Sequence, residues 1–496
     1  MSHNYRYTPP RRRASQRKRE SLSLSPRSAL RNARDRVDRA EARVFHLLWV
    51  FLPAPSVGKR VAFQHLVVSR FLSDMAQQAL LFGVLVALAR HGASSFQIAL
   101  VGIAALIPPA TLGLYGGIAA DALSKRVALV GTYGLQATLC FLVPVVLGTT
   151  VLDVMLLLLA VHALAQISLP AESSAIPLVA SDEELASATS LIGMASAVGM
   201  GLGAALVGPV VVRVFGVNVM IYLAGILLLV AASRVFNVPS VTQRAEAKYE
   251  TPRAAVRTAL DWLVHHPAVL TMIVVGVLSG TANTIIQTLG PRYVQSALGV
   301  DPADAAYVFA PSTVGLILAL IVAPLAIRLF HERVSALVGL FLTVTAVFLL
   351  GMVGTVSGIV DPVNPLRVTG LIGINLGEKL RTAGFLALPL AFGVSLTSAS
   401  IQTYINRRVP VRFQGRTFAM QSWLRNGTAI FPLLGFGALA TVFGMEKVLL
   451  ITPVVLIGLG YGLVYWAIRI AGLALPGRRE VFESFLEESP QIARDL

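Results

Sequence analysis

The stretch Asp121-Ala-Leu-Ser-Lys125-Arg126 is a short charged hinge between two apolar runs, and Arg328-Leu-Phe-His-Glu-Arg333 repeats that arrangement 207 positions later. A membrane-spanning helix takes about 20 mostly apolar residues, and the runs on both sides of each hinge reach that length. Working outward from the hinges, twelve such runs follow: 61–90, 95–120, 127–149, 152–178, 185–214, 217–236, 268–292, 304–328, 334–360, 383–406, 416–443 and 447–472. A polar stretch with Gln243, Arg244, Glu246, Lys248, Glu250 and Arg253 separates six runs from six. Pro177 and Pro410 open later short loops 233 positions apart, and the extra length falls in an added stretch near 361–383. Two repeats in parallel register, joined by a central linker, are the outline of a transporter. The expected fold is all-α and membrane-integral, with twelve transmembrane helices in two six-helix repeats. Its parts are a tail at 1–57, a bundle at 58–236, a linker at 237–264, a second bundle at 265–472 and a tail at 473–496.

Composition excludes most alternatives. Of 496 residues, 55% are hydrophobic and 13% charged, about half the charged share of a soluble domain. So few charges cannot coat a water-soluble surface of this size. The lone Cys140 excludes a disulfide framework and a cysteine-based zinc site. Eight scattered His with no H-x-x-x-H spacing give no metal motif. No G-x-x-x-x-G-K-[ST] stretch is present, which argues against nucleotide-driven transport by this chain. No cofactor and no catalytic constellation is expected, so an enzyme ranks last.

The net charge of +16 would suggest a nucleic-acid partner in a soluble protein. Here the cations sort by side instead. With the N-terminus inside, cytoplasmic segments collect 32 of the 41 Lys and Arg and external segments seven. Two more, Arg70 and Arg425, fall within spans. This positive-inside asymmetry puts both termini in the cytoplasm and predicts no nucleic-acid partner.

Residues 1–60 hold 15 cations against four acids, with Arg11-Arg12-Arg13 and Arg17-Lys18-Arg19 among Ser and Pro. No apolar run of adequate length follows, so this is not a signal peptide. From about 28 to 52, Leu30, Ala33, Val37, Ala40, Val44, Leu47 and Phe51 recur at helical spacing, with Arg on the remaining surface. A helix lying on anionic lipids of the cytoplasmic leaflet fits this pattern. So does a solvated helix or partner-binding arm.

The segment Gly117-Ile-Ala-Ala-Asp121-Ala-Leu-Ser-Lys125-Arg126 resembles the G-x-x-x-D-R-x-G-R-R signature of the major facilitator superfamily. It keeps the Gly, the Asp and both terminal cations, and departs at Ala122 and Ser124. Leu260-Asp-Trp-Leu-Val-His-His266-Pro267, Leu289-Gly-Pro-Arg-Tyr-Val294 and Val409-Pro410-Val-Arg-Phe-Gln-Gly415-Arg416 are similar to segments of its third drug:proton antiporter branch. The resemblance implies proton-coupled export of amphiphilic small molecules (drugs, siderophores or antibiotics) across a bacterial inner membrane. It also implies a cytoplasmic gate at Gly117, Asp121, Lys125, Arg126, Gly415 and Arg416. Antiporters of the family often carry G-x-x-x-G-P in the fifth span. Here Gly199 and Gly203 are present but Ala204 replaces the Pro, and Gly208-Pro209 follows.

Ionisable groups at membrane depth are functional candidates because each costs at least about 2.5–3.5 kcal/mol on insertion scales. Arg70 and Asp74 lie four apart on one helix face. Asp74 also matches an acid common in the family's first span, so the pair is a proton-coupling candidate or a structural salt bridge. Glu172 could pair with Lys125 or Arg126 as a gate element, and His162 is a core or cavity histidine; both are further proton-coupling candidates beside Arg70 and Asp74. Arg425 and Asn426 lie deep in the eleventh run, where Arg425 binds an anionic group or snorkels to the interface. Asn283, Gln287, Gln402, Tyr404 and Asn406 either line a cavity or bond helices together. Two rival functions remain, a lipid or lysolipid flippase on the same fold and a non-transporting scaffold or sensor.

Overall fold

From Val61 to Arg90 the chain has no proline and a single glycine, Gly83, and it forms one uninterrupted helix, α1 (Val61–Arg90). The computed structural model describes residues 60–113, 123–146, 148, 150–181, 184–236, 238, 266–367, 376–409 and 411–470. The tails and, apart from Val238, the linker at 237–264 lie outside the described residues, as do Gly117 and Asp121. The lipid-surface helix expected near 28–52 lies outside them too.

Two chain reversals carry the chemistry that starts a helix. Ser94 accepts from the Gln97 amide while the Gln97 side chain accepts from the Ser94 amide, opening α2 (Ser95–Thr111). Thr150 and Asp153 form the same reciprocal box. It satisfies backbone N–H groups that no turn of helix can reach. Between the two boxes runs α3 (Lys125–Val146), and the second opens α4 (Val151–Ala175).

Helix α5 begins at Leu185–Leu202, passes through a π-helical turn at Gly203–Val207 and resumes at Gly208–Phe215. The extra residue of that turn has a clear use. A Cβ on Gly199 would sit 2.6 Å from the Phe71 carbonyl oxygen, and one on Gly208 would sit 2.9 Å from that of Ala79. Gly203 meets the Met75 carbonyl in the same way. Contacts on α1 thus advance by four residues each time, whereas the glycines are spaced four and then five. A regular helix would rotate Gly208 off the seam, and the bulge returns it. Gly208-Pro209, displaced from the antiporter spacing, therefore still serves close helix approach.

Helix α6 (Val217–Phe236) closes the first half, and α7 (Pro267–Ser296) opens the second. Next comes α8 (Ala305–Gly351), whose 47 residues would extend about 70 Å if straight. That is more than twice the hydrocarbon thickness of about 30 Å. It breaks at His331, which has φ 63° and ψ 165°, inside the expected Arg328–Arg333 hinge. A short helix, α9 (Val353–Val360), follows; then come α10 (Glu378–Arg408), α11 (Val411–Phe443) and α12 (Met445–Ile470).

Among the described residues every regular element is a helix. Ten helical stretches are long and apolar enough to cross a membrane, and α2 is a shorter apolar helix. The most enclosed are α1 and α7, with 67% and 72% of their apolar windows buried, so each is the inner helix of its half. Within 361–383, expected as an added external stretch, Asp361 and Arg381 are joined by two hydrogen bonds of 2.8 Å, and α10 starts at Glu378.

Candidate functional site

Four helices of the first half converge on one buried polar cluster. Arg70 and Asp74 sit on α1 about one turn apart, and Arg70 Nε lies 2.7 Å from Asp74 Oδ2. From α4, Glu172 Oε2 lies 2.5 Å from Arg70 Nη1. From α5, the Ser196 hydroxyl accepts from Arg70 Nη2 at 3.2 Å and donates to Asp74 Oδ2. Tyr133 of α3 is fully buried beside Glu172, Arg70 and Asp74. Above it, Gln77 donates to Gln136 at 3.2 Å, tying α1 to α3 again.

The cluster holds two carboxylates and one guanidinium, and all three are largely withdrawn from water. Arg70 donates to both acids, and the buried Tyr133 hydroxyl lies against Glu172. A buried ion pair is stable only when its remaining lone pairs are satisfied. Here the two carboxylates outnumber the one guanidinium, so with both acids ionised the cluster carries one negative charge beyond its described cations.

This geometry corrects the expectation for Glu172. Its partner is Arg70, not Lys125 or Arg126, because this part of α4 packs its Glu172 face onto α1. Lys125 is buried in the first turn of α3. Arg126 donates to the Phe236 carbonyl at 2.5 Å and lies over the Phe236 ring. His162 is not part of the cluster; its Nδ1 lies 2.9 Å from the Leu158 carbonyl of its own helix. Gly415 lies within α11, and nothing is described of the Arg416 side chain there.

In the second half, Arg425 stands 14 residues into α11, about 21 Å along the helix. Asp74 is 13 residues into α1, at about the same depth. The Arg425 stem packs across Gly280 of α7, where a Cβ would collide with it. Protein surrounds its guanidinium, yet the residue keeps an accessible surface, so it opens onto a hollow between the helices. Asn283 and Gln287 follow Gly280 on the same face of α7, and both are partly exposed. Asn426 donates to Ser422 of its own helix at 3.3 Å. Gln402 and Asn406 share an exposed face of α10. Tyr404 does not line the hollow: it is 2% exposed in the core of the second half, and its hydroxyl accepts from Arg333 at 3.3 Å.

The two halves meet beyond Gln287. Thr288 packs on Gly102, and the Phe82 and Phe309 rings meet edge-on at 5.2 Å. Phe96 N–H donates to Thr441, and Gly437 packs against Ser95 and Ala99. Outermost, Arg90 lies 3.2 Å from Asp301, and Arg213 pairs with Asp304. All of these contacts join α1, α2 or α5 to the second half, and they seal one end of the hollow. At the opposite end the described pairs each stay within a half, as in Arg407–Glu332 at 2.6 Å. Sequence reading did not foresee Ser196, Tyr133 or the two sealing pairs. Asp301 and Asp304 carry a signal only as acids placed opposite Arg90 and Arg213 at the same membrane face.

The profile of the Major Facilitator Superfamily matches residues 66–432. No curated protein matches the chain in sequence. The crystal structure of the nucleoside transporter NupG superposes with a TM-score of 0.61 at 13% identity, covering 82% of this chain and 98% of that one. A bacterial homologue of the human lysosomal transporter Spinster, inward-facing and unoccupied, also gives 0.61 at 13% identity, with 84% and 98% covered. A bacterial homologue of the iron transporter ferroportin in an inward-facing state gives 0.54 at 14% identity, with 82% and 98% covered. At such identities the likeness speaks to the fold. The profile spans both halves, including the buried cluster and the Arg425 hollow, and so the chain, a multi-pass integral membrane protein with a transporter's architecture, belongs to the Major Facilitator Superfamily.

Proposed function

We propose that the protein is a proton-coupled exporter of amphiphilic small molecules, of the drug, siderophore or antibiotic class, working by alternating access in a bacterial inner membrane. In this reading twelve passes place both termini in the cytoplasm, and the basic tail rests on anionic lipids. The observation that carries it is the Arg70–Asp74–Glu172 cluster, with one carboxylate more than it has cations. Proton entry neutralises that surplus, and rearrangement of α1 against α4 and α5 releases the proton on the other side. The sealing contacts lie at the face where the positive-inside pattern puts few cations, which supports an inward-facing geometry. Asp121 with Lys125 and Arg126 then forms the gate that closes the cytoplasmic side in the opposite state.

The test is reconstitution in liposomes with an imposed pH gradient. Substrate-dependent proton flux by the wild type, lost in Asp74→Asn, supports antiport. Movement of headgroup-labelled lipid that ignores the gradient replaces it with the flippase reading. Neither activity would leave a scaffold or sensor.

A further inference from the structure

Among the described residues, Arg425 is the charged group of the hollow that the polar cluster does not absorb. Its guanidinium makes no ion pair or hydrogen bond with the described residues, although five N–H donors point from it. Its stem is fixed against Gly280, a position where any side chain would displace it. Asn283 and Gln287 extend the same α7 face toward the seal at Thr288 and Gly102, and neither spends its amide on a described partner. A fixed cation, two free amides and an apolar ceiling at Phe82 and Phe309 therefore line up along the hollow.

We infer that Arg425 binds the anionic end of the transported molecule, a phosphate or carboxylate, with Asn283 and Gln287 contacting its polar middle. A guanidinium binds such groups through two parallel N–H···O bonds. Snorkelling does not explain the arrangement, because the stem is turned onto Gly280 at mid-helix rather than toward an end of α11. The anion also suits the opposite wall. Asp74 and Glu172 carry the surplus negative charge of the first half, so a substrate anion is attracted to the second half and repelled from the first.

The inference rests on the transporter reading for its meaning, but its test needs no transport. The purified full chain in detergent is titrated with decyl phosphate, decyltrimethylammonium and inorganic phosphate, and binding is read calorimetrically. Decyl phosphate should bind saturably, and Arg425→Gln should weaken it about tenfold or more, with Arg425→Lys in between. Gly280→Val keeps the charge but displaces the side chain, and it should weaken decyl phosphate similarly. Decyltrimethylammonium binding should be unchanged by any of the three. A gel-filtration profile matching the wild type shows that each variant is folded, and Gly280→Val serves if Arg425→Gln is not. Equal decyl phosphate affinity in wild type and a folded variant overturns the inference, as does a preference for the quaternary ammonium. Inorganic phosphate binding as tightly as decyl phosphate would assign the site to a free anion and overturn the amphiphile. A chain that binds decyl phosphate through Arg425 yet moves nothing across a pH gradient would sink the exporter and leave the anion site standing.

Discussion

The Glu172 carboxylate reaches the Arg70 guanidinium at 2.5 Å across 102 residues of sequence, and so bolts α4 to the same face of α1 that holds Asp74. Among the described residues Arg70 is the cation that pairs with both acids of the cluster. Removing it should do more than break one pair, because it leaves two buried carboxylates facing each other. Losing one member of a buried pair costs about 3–5 kcal/mol. Arg70→Met should therefore lower the thermal unfolding midpoint of the detergent-solubilised protein sharply. Adding Asp74→Asn and Glu172→Gln to that variant should recover most of the loss. A triple variant as unstable as the single one would show that Arg70 acts through packing.

The two acids differ in their bonding, which separates their roles. Asp74 accepts from Arg70 and from Ser196 of α5, whereas Glu172 accepts from Arg70 and lies against the buried Tyr133 of α3. Asp74→Asn should abolish gradient-driven accumulation while retaining substrate binding. Ser196→Ala should leave an intermediate phenotype, since it removes one hydrogen bond to Asp74, worth about 1.5–3 kcal/mol when the acceptor is charged. Normal pumping by Asp74→Asn would move the coupling site to Glu172 alone.

Much of this was legible in sequence, and the misses have one cause. Arg70 and Asp74 were recognisable as partners because four residues make one helical turn, a local rule. Glu172 was equally visible as a buried acid, but its partner depends on how α4 rotates against α1, which no local spacing encodes. The same holds for Ser196, one small polar residue among several on α5. Apolar run lengths located the helices well, yet α7 and α10 extend past their expected ends because Arg292, Lys379 and Arg381 sit in helical turns that reach beyond the apolar core. For Tyr404 the sequence leaves a cavity-lining and a helix-bonding role open; its ring is packed among Val269, Ile273 and Ile401 and its hydroxyl accepts from Arg333 of α8, a placement no local spacing encodes.

The glycine seam of α5 gives a packing prediction. Gly203 faces the Met75 carbonyl with no room for a Cβ, and the atom in the way is backbone. Gly203→Val should force α5 away from α1 and cost about 1–3 kcal/mol of stability, as overpacking does. Gly193→Ala, where open space surrounds the Cβ, should be tolerated. Comparing unfolding midpoints checks both, and equal midpoints for the two variants would refute the seam.

A pH effect is expected at the base of the 361–383 stretch. Two hydrogen bonds from Arg381 hold the Asp361 carboxyl below the usual carboxylate range of about 3.9. A carboxyl lowered on folding contributes stability that is complete above its unfolded value and is lost as pH falls through the folded one. Hydrogen-exchange protection of the first turn of α10, taken relative to the intrinsic rate at each pH, should thus hold down to about pH 4 and fall below it. In Arg381→Gln the protection should already be lost near neutral pH. Protection that ignores pH in the wild type would show that the pair does not anchor α10.

The sealing pairs make the last prediction. Arg90–Asp301 and Arg213–Asp304 are partly exposed, and exposed pairs are worth about 0.2–1 kcal/mol each. That is little for folding but enough to move a two-state equilibrium, since about 1.4 kcal/mol is a factor of ten. Removing both pairs with Arg90→Ala and Arg213→Ala should leave stability nearly unchanged and shift the population toward opening at this end. Spin labels at Val219→Cys and Val442→Cys, in a Cys140→Ala background, would report the distance between α6 and α11 directly. The wild type should show one distance, and the double variant a second, longer one. High salt should mimic the variant in part, because screening weakens exposed charges. Swapping the charges, with Arg213→Asp and Asp304→Arg together, should restore the wild-type distance. If the double variant keeps the wild-type distance at low and high salt, the seal is held by Phe82, Phe309, Gly102 and Thr288, and the charges only decorate it.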